Sequence, residues 1–330
     1  MIRKILYYLF LTLSILLIAI SLLSLIHNIS FWFIQILDFP RLQYLVVGFI
    51  CLAAMIATIR RWNWGNRLLV GGIIIAITIQ MFIIFPYTKF SGKEVATVKK
   101  SQVDTERNSI KLMVANVWLK NDNYAAFLKM AEKNQADIIM TLEVNNEWLE
   151  EIKSLENIYN HTVKKPFDNT YGMALYSKYP LKDTKIRYLK HEEVPSIHTK
   201  VQMPDKIFNL HVVHPVPPKP SEHPDNVGEK EIALVKVGNM VSEEKLPAVI
   251  AGDFNDVAWS KYSRLFKENG QLNDIRVGRG FYNTFDATSG IMRWPLDHVY
   301  VTSEFEVMEV KRLEKFGSDH FPYYVELYLP

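Results

Sequence analysis

The chain is poor in cysteine. Its 330 residues contain one, Cys51, set in an apolar run. No intrachain disulfide and no cysteine-based metal site can form, so the redox compartment stays open. Acidic residues are almost missing from the first 86 positions, which hold Asp38 alone against Arg3, Lys4, Arg41, Arg60, Arg61 and Arg67. Of the chain's 38 cationic and 35 acidic side chains, 32 and 34 therefore fall after position 86. The net charge of +3 belongs entirely to the N-terminal part. The remainder lacks the basic excess that marks many nucleic-acid binders. Internal repeats and low-complexity tracts are also absent.

Apolar residues are plentiful, at 49% of the chain, with a mean hydropathy of zero. Two unlike parts averaged together account for that mean. Residues 5–26, 42–59 and 68–85 are uncharged and apolar, each close to the roughly 20 residues that cross a hydrocarbon core as a helix. Any one alone could be a buried soluble helix, and the first could be a signal sequence, although no small-residue cleavage site follows it. Three in succession predict a membrane anchor over 1–86. Arg3, Lys4, Arg60, Arg61 and Arg67 flank the first span and fill the second loop, which the positive-inside tendency assigns to the cytoplasm. Everything after the third span then falls on the outer, periplasmic or extracellular, side of an inner or plasma membrane. Phe31, Trp32 and Phe33 suit the membrane interface. The polar, cationic stretch 87–108 reads as a linker.

From 109 to 330 the pattern becomes that of one α/β domain with layered sheets. Strands are expected over 110–117, 137–142, 172–176, 197–201, 207–213, 248–251, 298–301 and 323–327. Helical spacing covers 123–133, 146–155, 227–241 and 259–267. Repeatedly, an apolar run leads into a small polar group: Asn116, Glu143, His214, Asp253 with Asn255, Asp297, and Asp319 with His320. Layered α/β domains assemble sites at strand ends in this way. Singly, each has a plain alternative as a turn former, helix start or chance pair.

Together, their order and surroundings resemble the endonuclease/exonuclease/phosphatase superfamily, which includes deoxyribonuclease I, abasic-site endonucleases, sphingomyelinases and inositol-polyphosphate 5-phosphatases. The resemblance rests on Val114-Ala115-Asn116-Val117, on the run from Asp137 to Glu143, and on the run from Gly172 to Pro180. It continues through His211-Val212-Val213-His214-Pro215 and Gly252-Asp253-Phe254-Asn255, and ends with Asp297-His298 and Gly317-Ser318-Asp319-His320. It spans essentially all of 110–329. It is specific to the superfamily and not to a substrate.

The resemblance implies a four-layer sandwich of two packed mixed sheets flanked by helices, here in a bacterial, membrane-anchored member. It also implies roles. Glu143 would be the principal ligand of a hard divalent ion, Mg²⁺ with Mn²⁺ as the other candidate, and Asn116 and Asp319 would complete or orient that shell. His320 would contact the scissile phosphate and exchange protons, its imidazole held in one tautomer by Asp297. Asp253 would align or deprotonate the attacking water, and Asn255 would donate to a phosphoryl oxygen. A histidine at 214, followed by Pro215-Val216-Pro217-Pro218, resembles the deoxyribonuclease I and sphingomyelinase branches rather than the abasic-site branch. His298 and His211 read as packed within the sheets; His191, His198 and His223 read as solvated.

The expected activity is therefore hydrolysis of phosphodiesters beside a lipid bilayer, with a nuclease slightly favoured over a phospholipid or sphingomyelin-type phosphodiesterase. No protein partner is inferred. A catalytically retired binding module would have lost at least one central residue, and none is missing. Transport is disfavoured because the three spans carry no ionisable residue able to move an ion.

Overall fold

Alternation along the strands sets the layers. A computed structural model describes residues 1–26, 32–103, 108–217 and 232–330. Phe31, Pro218, His223, the end of the expected linker and the first part of the helix expected from 227 lie outside them. Among the described residues, twelve strands follow in chain order: β1 (Ser109–Asn116), β2 (Ile138–Leu142), β3 (His161–Lys165), β4 (Met173–Ser177), β5 (Leu181–Tyr188), β6 (Pro195–Gln202), β7 (Ile207–Val213), β8 (Ala248–Asp253), β9 (Asn273–Asp274), β10 (Asp297–Val301), β11 (Glu306–Arg312) and β12 (Tyr323–Tyr328). They form two six-stranded sheets, ordered β11-β12-β1-β2-β4-β3 and β5-β6-β7-β8-β10-β9. Ile110, Leu112 and Val114 of β1 point into the core between the sheets, while Met113 and Ala115 point outward beneath helices. The same period of two places Leu210, Val249 and Val299 inside, and Ile250 and Tyr300 outside. Each such aliphatic side chain contributes about 1.5–3 kcal/mol by leaving water.

Both sheets are mixed, with one parallel pair apiece: β1 with β2, and β7 with β8. Parallel neighbours need a crossover. Four short helices cover the outer faces of the two sheets. Tyr124–Asn134 carries the chain from β1 to β2, and Ala233–Ser242 lies between β7 and β8. Asn146–Glu151 joins the first of these on one outer face, and Lys261–Asn269 joins the second on the other. This is the expected four-layer sandwich. Because β1, β2, β7 and β8 run into polar residues at their C-terminal ends, the two parallel pairs bring Asn116, Glu143, His214 and Asp253 toward one edge of the sandwich.

Ahead of the domain stand three helices, α1 (Ile2–Leu23), α2 (Arg41–Thr58) and α3 (Trp64–Ile84), each long and apolar enough to cross a membrane. Their shared interior holds Met55, Ile59, Ile73 and Ile77, and Leu13, Ile75 and Phe82 face outward. Arg3 donates to the Thr58 and Ile59 carbonyls, which brings the N-terminus to the Arg60-Arg61 turn. At the opposite end Arg41 is fully buried. It pairs with Asp38 and donates to Gln80 Oε1 at 3.0 Å, and Gln80 donates to Ser21 Oγ at 3.0 Å. This second end abuts the domain: Phe39, Ile84 and Tyr87 pack with Val257, Ala258, Trp259 and Leu296. Trp259 Nε1 donates to the Asp38 carbonyl at 2.7 Å.

The stretch read as a linker is not free over its described residues. Val95 is 3% exposed and belongs to the core between the sheets. Thr97 pairs in parallel with Val307, and Glu94 accepts from the Asp274 N–H at 2.8 Å and pairs with Lys267. Arg279 Nη2 donates to the Val95 carbonyl and to Thr97 Oγ1, both at 2.7 Å. One apolar residue in a polar setting carries no periodicity, so the sequence could not reveal this strap. His198 also departs from expectation. It is buried on β6, hydrogen-bonded at 2.7 Å to Ser196 Oγ and at 2.7 Å to His211 Nδ1, and His211 in turn meets Glu244 at 3.0 Å.

Candidate active site

The edge where the two sheets meet is built by backbone that few sequences tolerate. Gly252, just before Asp253, has φ +147°, and a Cβ there would lie 1.9 Å from the Val213 carbonyl oxygen. Only glycine lets β8 approach β7 this closely. Glu143 and Asn255 follow their strands in the left-handed region, at φ +63° and +52°. Such conformations cost on the order of 1–3 kcal/mol for residues other than glycine and cluster at functional sites.

Asn116 joins the two sheets. Its Nδ2 donates to Glu143 Oε1 at 2.9 Å and to Asp253 Oδ2 at 3.0 Å, while its Oδ1 accepts from the Trp118 N–H at 2.9 Å. The three bonds fix which way the amide points. Leu119 N–H reaches the other Glu143 oxygen at 3.3 Å. His320 Nδ1 lies 2.7 Å from Asp297 Oδ2, and its Nε2 lies 3.5 Å from Asp253 Oδ2. His214 Nε2 approaches the same Asp253 oxygen at 3.7 Å. Ser318 Oγ donates to the Asn116 carbonyl and accepts from the His320 N–H, setting the histidine loop against β1. Asn255 takes a more peripheral place: its N–H donates to Asp253 Oδ1 and its Nδ2 to the Pro215 carbonyl. Asp319 accepts the Ala287 N–H on its own carbonyl at 2.7 Å, and its carboxylate senses both Asp253 and His320. All eight residues singled out in the sequence thus converge here.

Charge is distributed unevenly among them. Burial alone would lower the His320 pKa, but the carboxylates of Asp297 and Asp253 outweigh it and push it up to about 10. His320 is therefore an imidazolium at neutral pH. Burial lowers the pKa of His214, which Asp253 only partly offsets, and this ring is neutral. Burial pushes the Glu143 carboxyl up to about 7, against the Asn116 hydrogen bond and the His320 charge. Burial raises Asp319 as well.

Two donor sets deserve comparison as cation sites. Asp253, Asp297 and His320 offer ligand atoms within 4.8 Å of one another. In this cluster His320 Nδ1 is already engaged by Asp297 and its Nε2 faces Asp253, so the three form one ion-paired group. Glu143 and Asp319 differ: burial raises both, and the charges acting most strongly on Glu143 are His320 and Asp319. Oxygen donors of this kind, with the Asn116 amide beside them, fit a hard divalent cation. Mg²⁺ accepts such a sparse carboxylate set because it retains water ligands.

Two rim residues had no sequence signal. The Arg293 and Arg312 guanidiniums lie 5.1 and 4.3 Å from the ring centroid of Phe321, the neighbour of His320. They come from separate elements 19 positions apart, so no motif links them. The arrangement as a whole offers an imidazolium, carboxylates able to take a cation, and guanidiniums at the rim, which suits an anionic ester.

A model of the endonuclease/exonuclease/phosphatase family matches residues 113–320. The chain belongs to that family. Its matched region begins inside β1 and ends on His320, so it encloses all eight residues. Solved structures share the fold of this family domain. A humanized Danio rerio TDP2 is 13% identical with a TM-score of 0.53, covering 66% of this chain and 98% of its own. An endonuclease/exonuclease/phosphatase family protein from Bacteroides thetaiotaomicron is 20% identical with a TM-score of 0.51, covering 68% and 99%. The human Nocturnin catalytic domain, with bound sulfate anion, is 17% identical with a TM-score of 0.52, covering 68% and 96%. No curated protein sequence matches the chain. The family places the chain among hydrolases of phosphoester bonds.

Proposed function

We propose that the chain is a membrane-anchored phosphodiesterase that depends on a divalent metal ion, with its catalytic domain on the outer side of the membrane. The observation that carries the catalytic reading is the His320 imidazolium, paired with Asp297 and 3.5 Å from Asp253, beside the metal-competent Glu143. Glu143 and Asp319, steadied by Asn116, would hold Mg²⁺ or Mn²⁺, which supplies charge neutralisation at a phosphoryl oxygen. His320 binds the phosphate as a cation and holds the proton that a departing alkoxide needs. Asp297 keeps its ring oriented. Asp253 sits between His320 and the neutral His214, placed to align a water through its carboxylate. Asn116 holds the Glu143 and Asp253 carboxylates in place, and Asn255, at the periphery, would turn its amide from the Pro215 carbonyl to a phosphoryl oxygen. One Asp253 oxygen faces both histidines, at 3.5 Å from His320 and 3.7 Å from His214.

The anchor reading rests on the apolar outward faces of α1, α2 and α3. The orientation rests on charge: Arg3, Arg60 and Arg61 gather at the end of the bundle away from the domain, which the positive-inside tendency assigns to the cytoplasm. A nuclease draws support from a Danio rerio TDP2 structure described as complexed with single strand DNA product.

The test uses the full chain in detergent or nanodiscs. With Mg²⁺ or Mn²⁺ it should hydrolyse bis-p-nitrophenyl phosphate, and chelation should abolish turnover. His320→Ala and Glu143→Ala should each lose on the order of 100-fold or more, as removal of an acid or of metal stabilisation does. Equal activity in wild type and both variants would sink the reading. A reporter fused after Pro330 tests orientation, and cytoplasmic reporter activity would reverse it.

A further inference from the structure

The loop from Asp286 to Arg293 joins the catalytic histidine to the aqueous end of the helix bundle. At its base, Phe285 pairs with His320 and its ring lies 5.0 Å from the imidazole. Phe285 stacks on Trp294 at 6.0 Å, and Trp294 meets Phe39, just ahead of α2, at 5.9 Å. Two rings, Phe285 and Trp294, therefore lie between His320 and Phe39 at the edge of the bundle. At the tip, Gln43, in the first turn of α2, donates from Nε2 to the Ile291 carbonyl at 2.8 Å. With a rise of about 1.5 Å per residue, this holds the tip roughly 3 Å beyond the start of the apolar helix. There Ile291 is 78% exposed and Met292 is 46% exposed.

This tip is braced. Ser289 Oγ accepts from the Ile291 and Met292 N–H groups at 3.2 and 2.9 Å, and Arg293 Nε donates back to the Ser289 carbonyl at 2.6 Å. Two large apolar side chains held out by a rigid turn are costly in water. Level with the first turn of a membrane span, they face the boundary between headgroups and acyl chains instead. Phe90, beyond the exit of α3, is 89% exposed between Lys89 and Ser91 and adds a further apolar tip near the same end. Trp294, at the base of the loop, is of a residue type enriched at this depth.

Resting on the phosphodiesterase reading, we infer that the 286–293 loop dips Ile291 and Met292 into the outer leaflet and that the site takes a phosphodiester carried by a membrane lipid. Continuity with the spans identifies the covering phase as lipid. Arg293, next to the embedded tip, and Arg312 then lie at headgroup level, beside a site that two rings separate from Phe39. The reaction balances as a hydrolysis: a water oxygen bonds to phosphorus and one ester P–O bond breaks. The water's proton ends on the released alcohol, leaving a phosphomonoester.

The test uses the full chain in nanodiscs of phosphatidylcholine, phosphatidylglycerol and sphingomyelin in equal parts. A nitroxide on Ile291→Cys should be more accessible to oxygen than to a water-soluble nickel complex, the reverse of one on Tyr188→Cys; Cys51 is fully buried and stays unlabelled. A label at 291 as water-accessible as that at 188 overturns the embedded loop. For the substrate, release of phosphomonoester or lipid alcohol is compared with hydrolysis of bis-p-nitrophenyl phosphate. The Ile291→Ser/Met292→Ser double variant should lower the lipid-to-soluble rate ratio by about tenfold or more, since both apolar side chains that would hold the tip in the leaflet are lost. An unchanged ratio overturns the proposal. Hydrolysis of the soluble diester or of added single-stranded DNA, with every lipid left intact, overturns the lipid substrate and leaves the phosphodiesterase standing. No hydrolysis of any of them removes the phosphodiesterase reading and this proposal with it.

Discussion

Replacing Val95 by alanine isolates the strap that joins the bundle to the domain. Val95 is 3% exposed and packs between the sheets, 14 positions before β1 begins. Two methyl groups are lost, each worth about 0.8 kcal/mol by transfer, and incomplete collapse around the gap adds to that. The expected cost is about 2 kcal/mol, a fall of roughly thirtyfold in the ratio of folded to unfolded domain. For a domain of this size the midpoint should drop by about 4–8 °C. Thermal unfolding of the full chain in detergent, followed by tyrosine and tryptophan signals from the domain, measures it. Lys89→Ala, on an exposed residue of the same stretch, is the control and should stay within about 0.5 kcal/mol. If Val95→Ala matches that control, the strap contributes nothing and 87–103 behaves as the free linker its composition describes.

Manganese binding to the full chain, measured by calorimetry, should weaken about tenfold from pH 8 to pH 6, because Glu143, pushed up to about 7, must lose a proton to bind a cation. Asp297→Asn should be less stable than wild type at pH 6 by about 3–5 kcal/mol, the cost of breaking a buried pair. His320 is raised to about 10, so its pairing stabilises fully below its ordinary pKa near 6.5 and fades as pH rises through 10. The gap between the two proteins in denaturant titrations should therefore narrow at high pH, and a gap that widens there refutes the assignment. Trp259→Phe keeps an aromatic ring but deletes the bond to the Asp38 carbonyl, and should cost about 0.5–1.5 kcal/mol in the same titration.

Burial on both faces explains what could be read from sequence. β2, β4, β7, β8 and β10 are nearly unbroken apolar runs because each lies inside its sheet, and that composition marks them. β3, β9 and β11 lie at or next to sheet edges, carry lysine, glutamate, asparagine and aspartate, and gain their form from pairing with neighbours distant in sequence. The site residues were legible because each ends an apolar run. Their grouping was not: the bond from Asn116 to Asp253 spans 137 positions, and nothing local encodes it. His198 looked solvated among polar neighbours, yet its partner His211 faces it across two strands. Arg41 stands just outside the apolar run 42–59 and carries no local sign of burial, yet it is the buried first residue of α2, where Asp38 and Gln80 satisfy it.

That buried pair also bears on how the helix bundle and the domain are coupled. A buried arginine with no partner would leave an uncompensated charge inside the bundle, at a cost of several kcal/mol. Paired with Asp38 and bonded to Gln80, Arg41 is compensated, and the backbone beside it is left to face the domain. The same couple is the seat on which Trp259 rests. A change at Asp38 or Arg41 would therefore reach the domain as well as the bundle, because one buried pair serves both.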